Sequence, residues 1–164
     1  MNAAPAPVQI VVDAANVMGS RPDGWWRDRA AAATRLIQAL ALLPGTVVPA
    51  PAAAGRAGAD GPAEVAADLQ VDAVLAVVEG QARQIPQVSG VSLVRAPADG
   101  DSAVVTTCRS VLDDGGVPVV VTADRGLRAR LPEGAVVAGP RWLLDALARQ
   151  SRNPGSAGGI STSS

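Results

Sequence analysis

The sequence predicts an α/β fold: a three-layer α/β/α sandwich with a mainly parallel central sheet. Two observations carry that expectation. Several runs of strand length are apolar nearly throughout, which is how strands buried on both faces read. Segments with helical spacing or turn-forming residues separate them, so strands and helices alternate along the chain. A third observation sets the scale. The 164 residues fit one domain, since domains commonly run about 100–200 residues.

The elements follow in order. Val8-Gln9-Ile10-Val11-Val12 is the first strand, ending at Asp13. Arg21-Pro22-Asp23-Gly24 is a turn, with Asp23 placed to cap the next helix. Trp25 to Leu43 reads as that helix, because Ala33, Leu36, Ile37, Leu40 and Leu43 fall on one face and Pro44-Gly45 stops it. Residues 45–63, rich in Pro, Ala and Gly, read as a variable surface loop, with a short helix at about 63–69. Ala73 to Val78 is the second strand, ending at Glu79, and Val91 to Val94 the third. Ser102 to Leu112 is helical, closed by Asp113-Asp114-Gly115-Gly116. Val117 to Val121 is the fourth strand and leads into Thr122-Ala123-Asp124. A helix over 125–131, a strand over 135–138 and a helix over 140–149 complete the domain, which spans residues 1–150. Residues 151–164, polar and Gly/Ser-rich, read as a disordered tail.

Composition narrows the chemistry. There is no His and no Lys; all 14 basic residues are Arg. That excludes a Ser-His-Asp triad, an imidazole base, a Schiff base and a Lys-dependent phosphate loop. One cysteine, Cys108, and no His exclude a zinc site built by the protein and a disulfide framework. Carboxylates must carry any catalysis. A net charge of −1 provides no overall basic field for indiscriminate nucleic-acid binding. The N-terminus lacks the regions of a signal peptide, and no apolar run reaches the roughly 18 residues that a membrane span needs. The expectation is a cytoplasmic protein with no membrane partner; a homodimer is left open.

Three buried strands finish on a carboxylate: Asp13, Glu79 and Asp124. In an open parallel sheet the strand C-termini share one edge, and ligands bind just beyond it. If these strands are neighbours, their carboxylates gather in one site. Asp101, in Ala98-Asp99-Gly100-Asp101-Ser102, supplies a fourth from a turn that opens a helix. Crowded carboxylates raise one another's pKa unless a cation neutralises them. The expected cation is Mg²⁺ or Mn²⁺, which takes oxygen ligands and leaves room for substrate phosphates. Asp13, Glu79, Asp101 and Asp124 are the candidate metal ligands.

Each residue also has a plainer reading. A single Asp after a strand is more often a helix cap or turn former. One of Asp99 and Asp101 suffices as the N-cap of the following helix. Asn16 suits either a water or phosphate near the first strand end, or a turn. Thr122 suits a bond to Asp124 or the strand end itself. Arg125 and Arg27 are candidate phosphate contacts, or solvated surface charges. Trp25 and Trp26 are either a hydrophobic staple or a base-stacking platform, with one of them expected in the core.

Val11-Val12-Asp13-Ala14-Ala15-Asn16-Val17-Met18-Gly19 resembles the first-strand motif of the NYN branch of PIN-like nucleases, and Trp25-Trp26-Arg27-Asp28 after the first strand is similar to a bacterial, YacP-like NYN subgroup. Gly100-Asp101 is similar to the central acidic motif of that family, and Val121-Thr122-Ala123-Asp124-Arg125 to its late Ser/Thr-x-Asp motif. The three occur in order across roughly residues 8–147. The resemblance implies a PIN-like sandwich and a Mg²⁺- or Mn²⁺-dependent ribonuclease acting on single-stranded or structured RNA. Asp13, Asp101 and Asp124 would be catalytic, with Asn16 in support. Apart from the resemblance, Thr122, Arg125, Ser102 and Arg27 are the candidate substrate contacts. Relatives often carry Gly-Asp-Asp where this chain has Gly100-Asp101-Ser102. That substitution removes one acidic group and puts a second metal in question, with Glu79 as its compensation. Two other functions compete: an RNA-binding or regulatory module of the same fold without efficient catalysis, and a nucleotide pyrophosphohydrolase. The second ranks last because the chain has only Glu64, Glu79 and Glu133.

Overall fold

The centre of the sheet is β1 (Ala6–Asp13), paired in parallel with β3 (Leu69–Val78) on one side and β5 (Pro118–Val121) on the other. The structure is a computed structural model, and it describes residues 5–21, 24–51 and 68–152. Beyond β5 lies β6 (Val136–Ala138), also parallel. On β3, the antiparallel β2 (Val47–Val48) pairs with the first residues and the parallel β4 (Ser92–Arg95) with the last. The helices are α1 (Ala14–Gly19), α2 (Arg29–Leu40), α3 (Gly100–Asp113), α4 (Arg125–Arg130) and α5 (Pro140–Arg152). The mainly parallel sheet was expected; β2 is its antiparallel exception.

Strand alternation sorts the core into two layers. Val8, Ile10 and Val12 of β1, with Val119 and Val121 of β5, pack against buried residues of α1, α2 and α5. Val11, Val77 and Val120 point the other way, onto Val104, Val105, Cys108 and Val111 of α3 and Leu127 of α4. Helices therefore cover both faces, giving the three-layer α/β/α arrangement. Val8 pairs with Val71 but Gln9 pairs with Ala73, so Asp72 is an extra residue in β3. This bulge lets Val71 and Val74, three apart, enter the same core layer. Large side chains are scarce, so small ones close the gap: Ala32 and Ala33 sit beside Leu36, Ile37 and Leu40 on the buried face of α2. Each fully buried Leu or Ile contributes roughly 1.5–3 kcal/mol.

Several boundaries differ from the sequence reading. A helix was expected from Trp25 to Leu43. Trp25–Arg27 instead forms a 3-10 turn, and α2 starts at Arg29, where the Asp28 carboxylate accepts the Ala31 N–H at 3.0 Å. A cap nearer the helix displaces the one proposed at Asp23, which, with Pro22, lies outside the described residues. The helix ends at Leu40, and Leu43 is buried without being helical. The loop expected over 45–63 contains β2 in its described part; residues 52–67, including most of the proposed short helix, lie outside it. Ser151 and Arg152 belong to the last turn of α5 rather than to a tail, and 153–164 lie outside the described residues. The short α1 was not anticipated. It starts directly after Asp13, which ends β1 and caps α1 at once.

Candidate active site

Register places the site. Asp13 is level with Val77 of β3, and Val12 is level with Val121 of β5. Glu79 and Asp124 therefore stand one side-chain repeat beyond Asp13, on strands to either side of it. Neighbouring strands are about 4.8 Å apart. Asp13, Val77 and Thr122 share the pleat face that packs on α3, so Gly100 and Asp101 at the head of α3 meet the same edge. The chain leaves β1 for β3 through α1 and α2, and returns through α3 to β5 on the other side of β1. That reversal opens a crevice at the end of β1. An open cleft of about 440 Å³ occupies it, lined by Asp13, Asn16, Glu79, Asp101 and Asp124 together with Ala15, Gly19, Ser20 and Ala123.

Asp13 is the most enclosed carboxylate, 8% exposed. Thr122 Oγ1 donates to its Oδ2 at 3.1 Å, and the Asn16 N–H approaches Oδ1 at 3.4 Å. Burial raises its pKa; these two bonds oppose the rise, while the charges of Asp101 and Glu79 add to it. Asp101 is half-buried in the first turn of α3. Its pKa is also raised, first by burial and then by the Asp124 charge, with Arg130 pulling it down. Burial is the main cause of both shifts, and neighbouring carboxylates add to it.

The other carboxylates also bind the ends of helices. Glu79 Oε2 accepts the Gly100 N–H at 2.6 Å, at the N-terminus of α3. Asp124 Oδ1 accepts the Leu127 N–H at 2.9 Å and caps α4. Asp99, not Asp101, is the N-cap of α3: its Oδ1 accepts the Ser102 N–H at 2.7 Å, leaving Asp101 to face the cleft. Helix N-termini carry partial positive charge, which partly offsets the carboxylates gathered there.

Asn16 lies on α1 rather than in a turn, and its Oδ1 accepts the Ala123 N–H at 2.8 Å. It thereby ties α1 to the connection between β5 and α4. Thr122 is fully buried. Its hydroxyl donates to Asp13 and accepts the Asp124 N–H at 3.2 Å, while its carbonyl accepts Arg128 Nε at 3.0 Å and Nη2 at 2.7 Å. A side chain so enclosed positions Asp13 and does not reach a substrate, which corrects its sequence-based assignment.

Three further expected contacts are not brought into the cleft. Ser102 is exposed, bonded through Oγ to Asp99 at 3.0 Å and to Arg130 at 3.2 Å. Its side chain is engaged on the outer side of α3, so the position at which an acidic residue is missing does not line the cleft. Arg125 is exposed at the start of α4, and Arg27 is exposed over the Trp26 ring. Gly100 was read only as part of a motif. A Cβ there would lie 2.6 Å from Glu79 Oε2, so glycine is what lets the carboxylate approach the helix. The sequence signal for it is a buried-strand Glu paired with a Gly at a helix start, visible only once the two are known to meet.

Among the described residues, no three His, Cys, Asp or Glu side chains are gathered as a ready-made metal-holding set. The donor chemistry nonetheless suits a hard cation: four carboxylates border one cleft, two of them with proton affinities raised by burial and, to a lesser degree, by their neighbours.

No protein-family model matches the chain, and no curated protein sequence does. Solved structures do. A crystal structure of Rae1 (YacP) from Bacillus subtilis, a tryptophan-to-leucine mutant, matches with a TM-score of 0.60 and 16% identity, over 89% of this chain and 78% of that one. A second crystal structure of Rae1 from the same organism matches with a TM-score of 0.60 and 15% identity, over 88% and 76%. No helix of the described residues is long and apolar enough to cross a membrane. The chain shares the fold of Rae1 (YacP), an α/β sandwich with a mainly parallel sheet.

Proposed function

We propose that this protein is a divalent-metal-dependent ribonuclease that hydrolyses RNA phosphodiester bonds at the C-terminal edge of its sheet. One observation carries the reading: Asp13, Glu79, Asp101 and Asp124 border a single open cleft at the point where strand order reverses. The fold shared with Rae1 (YacP), together with the resemblance of the three acidic motifs to those of NYN nucleases, supports it. Asp13, Asp101 and Asp124, with Glu79, are the residues that would hold Mg²⁺ or Mn²⁺. When bound, such an ion supplies positive charge to the phosphoryl oxygens and the attacking water.

The chain's own groups do the rest. Thr122 fixes the Asp13 carboxylate from beneath, and Asn16 fixes the Ala123 backbone beside Asp124. Asp101, on the cleft wall at the head of α3, would accept a proton from the attacking water. Attack at phosphorus breaks the bond to the leaving oxygen, which takes up a proton from solvent, and yields one phosphate end and one hydroxyl end. RNA is the partner this reading requires; it calls for neither a membrane nor a second copy of the chain. The lone thiol, buried Cys108 with its pKa pushed up to about 12, is inert and suits a reducing cytoplasm.

A second reading is an RNA-binding module of the same fold that cleaves poorly. It is favoured by the anchoring of Asp13, Glu79 and Asp124 to backbone groups without a gathered ligand set. Cleavage of defined RNAs in Mn²⁺ separates the two. The ribonuclease reading expects cleavage by wild type that falls at least about 100-fold in Asp13→Asn and Asp124→Asn. Binding without cleavage in millimolar metal selects the module, and cleavage unchanged in both variants removes the site assignment.

A further inference from the structure

We propose that Trp26 and Arg27 form a stacking subsite for an unpaired base, so that the cleft acts on single-stranded rather than duplex RNA. The inference rests on the ribonuclease reading above. Only three aromatic residues occur in the chain, yet Trp26 is 57% exposed. The Arg27 guanidinium lies 6.0 Å from the centre of its ring. Every base has a face that an indole can cover. In a duplex those faces are stacked on neighbouring pairs, so the ring selects bases that are unpaired.

Position adds an independent argument. The 3-10 turn Trp25–Arg27 belongs to the connection from β1 to β3, the same one that brings Ser20 to the cleft. Beside it, an open depression of about 660 Å³ runs between Asp28, Ala31 and Thr34 at the head of α2 and Gln84, Ile85 and Pro86 after β3. The two connections that form this groove begin at Asp13 and Glu79. Trp26 therefore stands at the same edge of the sheet as the cleft, two residues before Asp28 on the wall of this depression.

Charge points the same way, although the chain as a whole has a net charge of −1. Exposed Arg21, Arg27, Arg29, Arg83 and Arg125 lie on connections or helix starts at the strand C-terminal edge, among exposed Asp28 and Asp99. These arginines offer phosphate contacts to a strand that leaves the cleft toward Trp26.

The test is fluorescence anisotropy in EDTA with a labelled mixed-sequence RNA, free and annealed to its complement, alongside cleavage of the free strand in Mn²⁺. Trp26→Ala is expected to weaken single-strand binding about 5- to 100-fold. Duplex binding should stay within about twofold, and Trp26→Phe should recover most of the loss. Thermal melting of each variant checks that an exposed substitution leaves the fold intact. Unchanged single-strand binding in Trp26→Ala, with cleavage retained by wild type, overturns the subsite and leaves the ribonuclease reading standing. Equal weakening of single strand and duplex overturns the selection for unpaired bases. If wild type neither binds nor cleaves RNA, the ribonuclease reading fails and the subsite with it.

Discussion

Glu79 Oε2 accepts the Gly100 N–H at 2.6 Å, joining the end of β3 to the first turn of α3. The contact needs a residue without a side chain, since a Cβ at Gly100 would meet the same oxygen at 2.6 Å. It also explains why a glutamate serves here: from the end of β3, the longer side chain reaches across to a helix on the covered face of the sheet.

Gly100→Ala should therefore destabilise the fold by about 1–3 kcal/mol, the usual range for overpacking a tight contact. Glu79→Ala added to it should cost little more, because the clash disappears with the carboxylate. Urea unfolding of the two single variants and the double variant measures this coupling. Additive losses would mean that Glu79 and Gly100 do not constrain each other.

Thr122 holds two carboxylate-bearing segments with one hydroxyl, donating to Asp13 and accepting from the Asp124 backbone. Thr122→Val keeps the shape and removes both bonds. A buried carboxylate that loses its donor costs about 1–3 kcal/mol. The expected result is lower stability and a cleavage rate reduced at least about tenfold, with Thr122→Ser recovering most of both. If Val matches Thr in rate, the hydroxyl has no part in positioning Asp13.

The raised pKa values of Asp13 and Asp101 fix the direction of a pH effect. For a carboxylate whose folded pKa lies above its unfolded value of about 3.9, the stabilising contribution is full below that value and is lost as pH rises through the folded pKa. Asp13→Asn removes this dependence while keeping an acceptor for Thr122 and a good N-cap for α1. In EDTA, the variant's melting temperature should gain on wild type as pH rises from about 4 toward neutrality. A gap that is flat, or that shrinks with pH, would show that Asp13 is not strained by its surroundings. Asp99 shifts the opposite way, lowered by the Ser102 backbone N–H, and its full exposure makes it a minor influence.

Much of this site was legible because parallel sheets write their ligand edge into the sequence. Apolar runs ending in Asp13, Glu79 and Asp124 identify three strand ends, and the structure makes those strands neighbours with β1 between the others. Their adjacency was not legible, since strand order depends on contacts far apart in the chain. The same distance hid the Glu79–Gly100 and Thr122–Asp13 bonds, which span 21 and 109 positions. Local competition hid the helix starts. Asp23 and Asp28 are both acceptable caps, and α2 begins after Asp28. α1 was missed because six residues are too few to show a helical period. Asp13, the residue that ends the strand, also starts that helix.

The most direct test of the acidic cleft is stabilisation by a divalent cation. A cation shared between Asp13 and Asp101 offsets the cost of burying their charges beside other carboxylates and binds only the folded chain. Mass action then stabilises the fold by about 2.7 kcal/mol at one hundred times the dissociation constant. Calorimetric titration with Mn²⁺ should show saturable binding near neutral pH that weakens as the carboxylates protonate. The melting temperature of wild type should rise with Mn²⁺ by several degrees. Asp13→Asn and Asp101→Asn should each lose most of that rise, whereas Asp145→Asn, exposed on α5 and not lining the cleft, should keep it. An equal rise in all four proteins would assign the effect to scattered surface carboxylates and separate the cleft from metal binding.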